Sequence, residues 1–231
     1  MYLMPPLIPA VLIRRYQRFL ADFQLENGEI VTAHCPNSGS MKGCAVPGSP
    51  AFISRCDKPG RKLCYTWEQV KADNCWIGIN TSLPNRLVHN AIESNVIKEL
   101  QGYHSIRPEV RYGINSRIDL LLSRGDELCY VEVKNVTLME DGRALFPDAA
   151  TVRGQKHLRE LMEMVRLGHR AVNFFVVQRP DCSSVSPADA IDPEYGRLLR
   201  LAAANGVELL AYQAQVSRET IHLTHRLPVI L

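Results

Sequence analysis

The 231-residue chain contains no apolar run of about eighteen or more residues, the length that a membrane-spanning helix needs. The segment from Met1 to Val11 lacks the basic start and the long apolar core of a signal peptide. These absences predict a cytoplasmic protein without a membrane partner. With 46% hydrophobic residues, the chain is still long and apolar enough for one large domain or two modest ones.

Paired cysteines are also absent. The seven cysteines are odd in number and include no Cys-x-x-Cys pair: they are Cys35, Cys44, Cys56, Cys64, Cys75, Cys129 and Cys182. A structural zinc site needs paired ligands at short spacing, so the sequence argues against one. We expect small buried thiols in a reducing compartment.

Several other signatures are missing. The chain has no internal repeat and no low-complexity tract, and the segment from Gly39 to Gly48 lacks the Gly-Lys-Ser/Thr ending of a P-loop. Trp67 and Trp76 could stack on a sugar ring, but two tryptophans among predicted strands are more typical of a core. The P-loop class is therefore excluded, and a sugar-binding sensor has little support.

Charged residues inside apolar strands are the most informative feature that is present. Asp119 lies in one predicted strand, and Glu132 and Lys134 lie in the next. Alternation along a strand places Glu132 and Lys134 on one face, with the carbonyl of Val133 between them. An Asp on one strand followed by Glu-x-Lys on the next is the layout of a metal-dependent phosphodiesterase.

This layout has a chemical reason. Asp119, Glu132 and the Val133 carbonyl would form an oxygen cage for Mg²⁺ or Mn²⁺, which is the cofactor we predict. Asp119 would bridge the metal and the scissile phosphate, and Lys134 would orient the attacking water and help to deprotonate it. The alternative is a cross-strand salt bridge between Lys134 and a neighbouring acid, because Glu-x-Lys is a short and common pattern.

A helix is predicted to follow these strands, from about residue 153 to Gly168. Gln155 lies in its first turn, near the face that meets the sheet, and we predict that it reaches the phosphate or the water as a fourth catalytic residue. An ordinary polar first turn is the alternative. Asp148 either caps this helix or supports the metal site, and capping or a loop role is the safer assignment.

The first third of the chain has an all-β pattern. Its short apolar runs are separated by turn residues and cover residues 19–23, 30–35, 51–54 and 63–67. This part has nine lysines and arginines against six acids, so the whole net charge of +3 lies within it. We predict that residues 1–82 form a small β-barrel.

Arginines and aromatic rings interleave in this barrel, which suits phosphate contact and base stacking, and a basic loop follows. The predicted nucleic-acid-binding residues are Arg14, Arg15, Tyr16, Arg18, Lys58, Arg61 and Lys62. A solubilising surface is the alternative, and a net charge of +3 is too small to decide between them.

Residues 83–231 have a mixed α/β pattern, in which we expect helices on both faces of a central sheet. The predicted helices cover 83–100, about 153–168 and 193–205, and the predicted strands lie near 109–113, 117–122, 128–137, 171–177 and 207–212. A helix, three meandering strands, a helix and a strand are the core order of restriction-endonuclease-like domains.

Longer motifs extend over nearly the whole chain. They are His34-Cys35-Pro36-Asn37-Ser38-Gly39-Ser40-Met41, Asn80-Thr81-Ser82-Leu83-Pro84-Asn85-Arg86-Leu87, Ser116-Arg117-Ile118-Asp119, Tyr130-Val131-Glu132-Val133-Lys134-Asn135-Val136-Thr137-Leu138, Phe146-Pro147-Asp148-Ala149, Arg153-Gly154-Gln155-Lys156-His157-Leu158-Arg159-Glu160-Leu161-Met162 and Leu227-Pro228-Val229. Together these motifs resemble the sugar fermentation stimulation protein family, SfsA.

The resemblance implies an N-terminal OB-like β-barrel followed by a PD-(D/E)xK nuclease-like domain. It also implies DNA binding without marked sequence preference and a link to maltose and related sugar use. By motif, Asp119, Glu132 and Lys134 take the nuclease core positions, with Gln155 on the supporting helix. Members of the family often have Glu where this chain has Asn90, which weakens any claim to an extra acidic ligand from the first helix.

The leading hypothesis is a DNA-binding protein with a Mg²⁺-dependent nuclease site. The rival is a non-enzymatic DNA-binding regulator of sugar metabolism, in which the same charged residues are an inherited structural cluster. The sequence does not decide whether RNA is also a partner or whether cleavage is endo or exo. It also leaves open whether the protein forms a homodimer.

Overall fold

The structure is a computed structural model that describes residues 1–113 and 116–231. Its strands are β1 (Tyr2–Leu3), β2 (Leu7–Tyr16), β3 (Leu20–Leu25), β4 (Ile30–His34), β5 (Pro50–Arg55), β6 (Tyr65–Ala72), β7 (Cys75–Gly78), β8 (Ser105–Tyr112), β9 (Ser116–Arg124), β10 (Glu127–Val136), β11 (Leu138–Glu140), β12 (Arg143–Phe146), β13 (Arg170–Val177), β14 (Ser184–Pro187), β15 (Glu208–Val216) and β16 (Thr220–Leu227). Its helices are α1 (Pro84–Glu93), α2 (Val152–Arg166) and α3 (Pro193–Ala204), with a 3-10 turn at Lys98–Leu100. Within these described ranges, no helix combines the length and apolarity that crossing a membrane requires.

The N-terminal strands close into a barrel. Their order is β4-β3-β2-β5-β6-β7, and β4 also pairs in parallel with β6, so β2 to β6 form a closed ring of five strands. Alternate residues point inward, and Leu12, Phe23 and Trp67 are fully buried there. The rings of Phe23 and Trp67 meet edge to face at 5.2 Å. The predicted N-terminal barrel and the core position of Trp67 are confirmed.

The second unit is built on a seven-stranded sheet with the order β1-β16-β15-β13-β10-β9-β8. Helix α1 packs on one face of this sheet, and α2 and α3 pack on the other. Residues of β10 alternate between the two cores, with Val131 on the α1 side and Tyr130 on the α2 side. This arrangement confirms the predicted mixed α/β domain with helices on both faces.

Two sequence-based boundaries differ from the structure. The first predicted helix was expected to run to residue 100, but α1 ends at Glu93, because Asn95 takes a left-handed conformation with φ of 58° that no α-helix can continue through. At the N-terminus, β1 pairs with β16 in the second sheet, and the guanidinium of Arg86 lies 4.8 Å from the centre of the Tyr2 ring. The division of the chain at residue 82 therefore stays a proposal, because β1 precedes residue 82 but belongs to the sheet of the second unit.

Buried polar contacts fix the barrel against the second unit. Arg179 is 2% exposed, and its guanidinium contacts Asp73 Oδ2 at 2.9 Å, Asp181 Oδ2 at 2.6 Å and the Thr137 carbonyl at 3.0 Å. Asp73 belongs to the turn between β6 and β7, whereas the other partners belong to the second unit. Because a buried guanidinium without partners costs several kcal/mol, roughly, this contact holds the two units in one relative position.

Candidate active site

The strands β9 and β10 separate at Asp119. Their backbone pairing ends at Leu120 and Val131. Beyond that point the Asp119 side chain, rather than the backbone of β9, bonds to β10. Asp119 Oδ2 accepts a hydrogen bond from the Val133 N–H at 2.7 Å, and Oδ1 accepts one from Asn85 Nδ2 of α1 at 2.9 Å. A carboxylate therefore occupies the place where a strand carbonyl would otherwise lie.

Glu132 and Lys134 lie on one face of β10, as the alternation predicts, and both point towards α2. Lys134 Nζ donates to Glu132 Oε1 at 2.7 Å, and His157 of α2 contacts the same oxygen through Nδ1. The three side chains are buried, with 3% exposure for Glu132, 8% for Lys134 and 5% for His157. Buried charges are tolerated when they are paired and hydrogen-bonded, which this arrangement provides for one carboxylate oxygen.

The hydrogen-bond donors around His157 define its tautomer. Arg153 Nε donates to His157 Nε2 at 3.4 Å, so Nε2 acts as the acceptor and Nδ1 carries the proton given to Glu132. Lys134 Nζ lies 3.3 Å from the same Nδ1. With the proton on Nδ1, both nitrogens are donors, so neither accepts a hydrogen bond from the other. The imidazole and the ammonium thus share Glu132 Oε1, and no described residue bonds the other oxygen of Glu132.

The two carboxylates differ in their proton affinity. Burial and the negative charge of Glu132 raise the pKa of Asp119 to about 6. Burial also acts to raise the pKa of Glu132, but the charge of Lys134 and the hydrogen bond from His157 outweigh it and hold that pKa below its ordinary value. Asp119 is therefore the carboxylate that a nearby cation would stabilise most.

The donor set fits a hard divalent cation. Glu132 Oε2 is buried and has no hydrogen-bond partner among the described residues, and each Asp119 oxygen keeps an unused lone pair. In the parts of the chain that are described, no three His, Cys, Asp or Glu side chains form a metal-binding group. A third ligand would therefore come from the backbone. The N–H and the C=O of one strand residue point to the same side, so the Val133 carbonyl faces Asp119 as well.

These residues lie in a cleft of about 490 Å³ between the barrel and the second unit. The barrel contributes Arg18 and the loop at residues 37–39, and the N-terminal turn of α2 contributes Arg153. Asp119, Glu132 and Lys134 also form part of the wall. The cleft therefore has carboxylates in its wall and an exposed arginine from each unit.

The barrel side of the cleft is held by one arginine and one aspartate. Arg15 Nη2 donates to the carbonyls of Arg18, Asn37 and Gly39, each at 2.9 Å. Asp148 accepts from the Met41 N–H at 3.1 Å. A Cβ at Gly39 would lie 2.4 Å from the Asp148 carboxylate, which explains the glycine there. The loop is thus fastened from both units.

Asp148 lies in the loop before α2, as one of the two expected assignments has it, and it does not cap the helix. The cap is Thr151, whose hydroxyl accepts from the Gly154 N–H at 3.0 Å. Asp148 lies three residues before this cap and bonds the barrel loop instead.

Gln155 is not brought together with the other predicted catalytic residues. Its Nε2 donates to Asp192 Oδ1 at 2.9 Å, and Asp192 also accepts from the Tyr195 N–H at 2.9 Å as the cap of α3. The described residues that line the cleft do not include Gln155. Its predicted contact with phosphate or water stays a prediction.

Of the seven predicted nucleic-acid-binding residues, Arg18 lines the cleft in the described structure. Arg14 forms an ion pair with Asp22 at 2.8 Å and lies over the Tyr16 ring, whose hydroxyl also donates to Asp22. Arg15 is committed to the loop carbonyls. The remaining three, Lys58, Arg61 and Lys62, lie between β5 and β6, outside the described lining of the cleft.

Sequence analysis missed three residues of this site, which are Asn85, Arg153 and His157. Each of them lies within one of the longer motifs, so the motifs could have indicated them. Asn90, where other members of the family often have Glu, donates to the Met1 carbonyl at 3.3 Å. Asn85, one turn earlier in α1, is the amide that reaches Asp119.

Comparison with known proteins agrees with this architecture. The chain matches the family model of the sugar fermentation stimulation protein RE domain over residues 82–220 and that of the SfsA N-terminal OB domain over residues 13–79. It is 76% identical over 224 residues to a sugar fermentation stimulation protein homolog of Geotalea uraniireducens (strain Rf4), covering 97% of each chain. A homolog from Pseudoalteromonas atlantica (strain T6c / ATCC BAA-1087) is 53% identical over 228 residues, again covering 97% of each chain.

A solved relative has the same fold over its full length. The structure of Pyrococcus furiosus SfsA in complex with Ca²⁺ matches with a TM-score of 0.90 and 31% sequence identity, covering 100% of each chain. Both family models and these relatives lead to one conclusion: the chain belongs to the sugar fermentation stimulation protein (SfsA) family.

Proposed function

We propose that the protein binds DNA without marked sequence preference and hydrolyses its phosphodiester bonds with the help of Mg²⁺ or Mn²⁺. The observation that carries this proposal is the cleft whose wall contains Asp119, Glu132 and Lys134 together with two exposed arginines. In the proposed division of labour, the barrel (residues 1–82) grips the nucleic acid and the α/β domain (residues 83–231) performs the hydrolysis. A cytoplasmic location is part of the proposal.

Asp119, Glu132 and the Val133 carbonyl would hold the cation. Bound there, it would polarise a phosphoryl oxygen and lower the pKa of a coordinated water. The relative from Pyrococcus furiosus was solved with Ca²⁺, another hard cation that takes oxygen ligands, which supports a divalent ion in this family.

The remaining residues have roles that follow from their contacts. Asn85 holds one oxygen of Asp119, and His157 and Lys134 hold one oxygen of Glu132, so both carboxylates have fixed orientations. Lys134 keeps two further N–H donors that can orient a water and stabilise charge on the phosphate. Gln155 is retained as a residue that could reach the phosphate once its bond to Asp192 is exchanged.

The grip on DNA would come from phosphate contacts. Arg18 of the barrel and Arg153 of α2 both line the cleft, and Lys58, Arg61 and Lys62 would extend the contact along the barrel. Contacts with phosphate oxygens carry no direct sequence information, so binding through them is sequence-independent and sensitive to salt.

One observation favours a second candidate, the non-enzymatic DNA-binding regulator of sugar metabolism. Lys134 already neutralises Glu132, and His157 bonds the same carboxylate oxygen, so groups of the protein stabilise this charge. In this candidate the charged cluster stabilises the sheet, and the arginines of the cleft bind DNA without turnover.

The test is incubation of purified protein with labelled single- and double-stranded DNA and RNA, in Mg²⁺, Mn²⁺ or EDTA, beside the variant Glu132→Gln. This variant keeps an oxygen for Lys134 but removes the negative charge. Cleavage that requires metal and is absent in the variant would support the nuclease and identify its substrate. Salt-sensitive binding with no cleavage under any divalent ion would favour the regulator.

A further inference from the structure

Two cysteines face each other at the end of the β5–β6 hairpin. The register pairs Arg55 with Tyr65, and one step further the Cys56 N–H donates to the Cys64 carbonyl at 2.7 Å. Directly opposed residues of an antiparallel pair have side chains on the same face of the hairpin. Cys56 and Cys64 are therefore cross-strand neighbours rather than two isolated thiols.

The spacing of such a pair suits a disulfide. Opposed residues in a hydrogen-bonded antiparallel pair have Cα atoms about 5.5 Å apart. Disulfides join cysteines whose Cα atoms are roughly 4.4 to 6.8 Å apart, so a bond could form without moving the backbone.

Accessibility separates this pair from the other cysteines. All seven cysteines are free thiols in the described structure, with Cys64 exposed and Cys56 partly exposed. Four others, Cys35, Cys44, Cys129 and Cys182, are buried in the cores. Cys75 is partly exposed as well, but Ala72 lies opposite it, so the hairpin holds the pair of opposed cysteines that a dissolved oxidant can reach.

The thiol chemistry points the same way. A hydrogen bond from the Lys58 N–H and the guanidinium of Arg61 lower the pKa of the Cys56 thiol. Burial has the opposite effect elsewhere: it raises the pKa of Cys75 to about 12 and that of Cys44 to about 11. Because the thiolate is the nucleophile, Cys56 is the thiol that attacks first.

We propose that Cys56 and Cys64 form a reversible oxidation site that closes to a disulfide when the protein meets a peroxide. The Cys56 thiolate attacks one peroxide oxygen, the O–O bond breaks, and the leaving hydroxide takes a proton to give water and a sulfenic acid on Cys56. Cys64 sulfur then attacks the Cys56 sulfur, the S–O bond breaks, and a second water leaves. Two thiols are oxidised by two electrons while one peroxide is reduced to two waters.

The bond would tie together both ends of the loop at residues 57–63, which carries Lys58, Arg61 and Lys62. The tied loop holds these three cations in a narrower range of arrangements, so less conformational freedom is lost when they contact phosphates. The oxidised protein is therefore expected to bind DNA a few-fold more tightly at low salt. This consequence rests on the proposed function, whereas the disulfide itself does not.

The test treats the full-length protein with hydrogen peroxide and measures intact mass before and after reduction with dithiothreitol. The wild type should lose two hydrogens and regain them on reduction. Cys56→Ser should show no change, and Cys64→Ser should keep one oxygen as a sulfenic acid that dimedone traps. The control Cys75→Ser should behave as the wild type does. A disulfide that still forms in Cys56→Ser or Cys64→Ser, or oxidation that begins at a buried cysteine, would overturn the proposal.

Binding of a labelled oligonucleotide to the reduced and oxidised proteins separates this inference from the proposed function. Tighter binding after oxidation in the wild type, but not in Cys64→Ser, would support the effect on the loop. Equal binding in both redox states would overturn that effect. No binding in either state would contradict the proposed function and leave the oxidation site intact.

Discussion

The barrel and the α/β unit use their charged residues in opposite ways. In the barrel, Arg14 is paired with Asp22 and Arg15 is bonded to loop carbonyls, so two of the predicted DNA contacts already hold the protein together. In the α/β unit, Asp119 and Glu132 lie together in a cleft, and one oxygen of Glu132 has no described partner. Clustered arginines in a sequence thus indicate a solvent-facing surface, whereas a buried carboxylate with an unpartnered oxygen indicates a candidate functional site.

The largest expected effect contrasts a carboxylate from each unit. Asp119→Asn removes the charge that the cation needs, and we expect cleavage of labelled DNA to fall by about a hundredfold or more, since even residues behind metal ligands typically contribute roughly 10- to 100-fold. Asp22→Asn is the matched control, because Asp22 is also buried but belongs to the barrel. Equal loss of cleavage in both variants would show that the cleft has no special role.

The next effect concerns His157. Replacing it with Leu removes the N–H that orients Glu132, so the affinity for Mn²⁺, measured by calorimetry, should fall about 10- to 100-fold. His157→Asn can still donate from its amide and should retain most of the affinity. His169→Asn, a histidine outside the described cleft lining, is the control. A similar loss in the Leu and Asn variants would mean that His157 serves packing alone.

A smaller effect distinguishes two adjacent arginines of β2. Arg15→Ala breaks the bonds that fasten the loop at residues 37–40, and we expect about 2 kcal/mol of lost stability in urea unfolding, typical of hydrogen bonds to a charged group. Arg14→Ala removes an exposed guanidinium, and Asp22 keeps its hydrogen bonds from Tyr16 and Thr32, so the unfolding midpoint should change less. The comparison would be broken if Arg14→Ala proved the more damaging change.

The smallest effect is expected for Arg18. Arg18→Ala should weaken oligonucleotide binding only modestly, and it should make the slope of log affinity against log salt shallower by about one, as expected when one phosphate contact is lost. Anisotropy titrations at several salt concentrations measure this slope. An unchanged slope would remove Arg18 from the binding surface.

Much of the architecture could be predicted from the sequence because it depends on local periodicity. The period of two placed Glu132 and Lys134 on one face, and the order of elements indicated the mixed sheet. The early end of α1 escaped prediction, because the apolar pattern continues past Asn95 although the backbone turns there.

The site was predictable only in part. The contact between His157 and Glu132 joins α2 to β10, and the bonds of Arg15 join a strand to a distant loop, so both depend on tertiary packing. Gln155 lies on the predicted helix, but Asp192, which is far away in the sequence, takes its amide. Periodicity indicates the face on which a side chain lies, and the competing partners decide what that side chain contacts.

The central claim is that Asp119 and Glu132 form a metal site in the cleft. Electron paramagnetic resonance of Mn²⁺ titrated into the wild type and into Glu132→Gln tests it most directly, because bound and free Mn²⁺ give different signals and no turnover is needed. The account predicts saturable Mn²⁺ binding in the wild type and its loss in the variant. Equal binding in both proteins, or no binding in either, would contradict it.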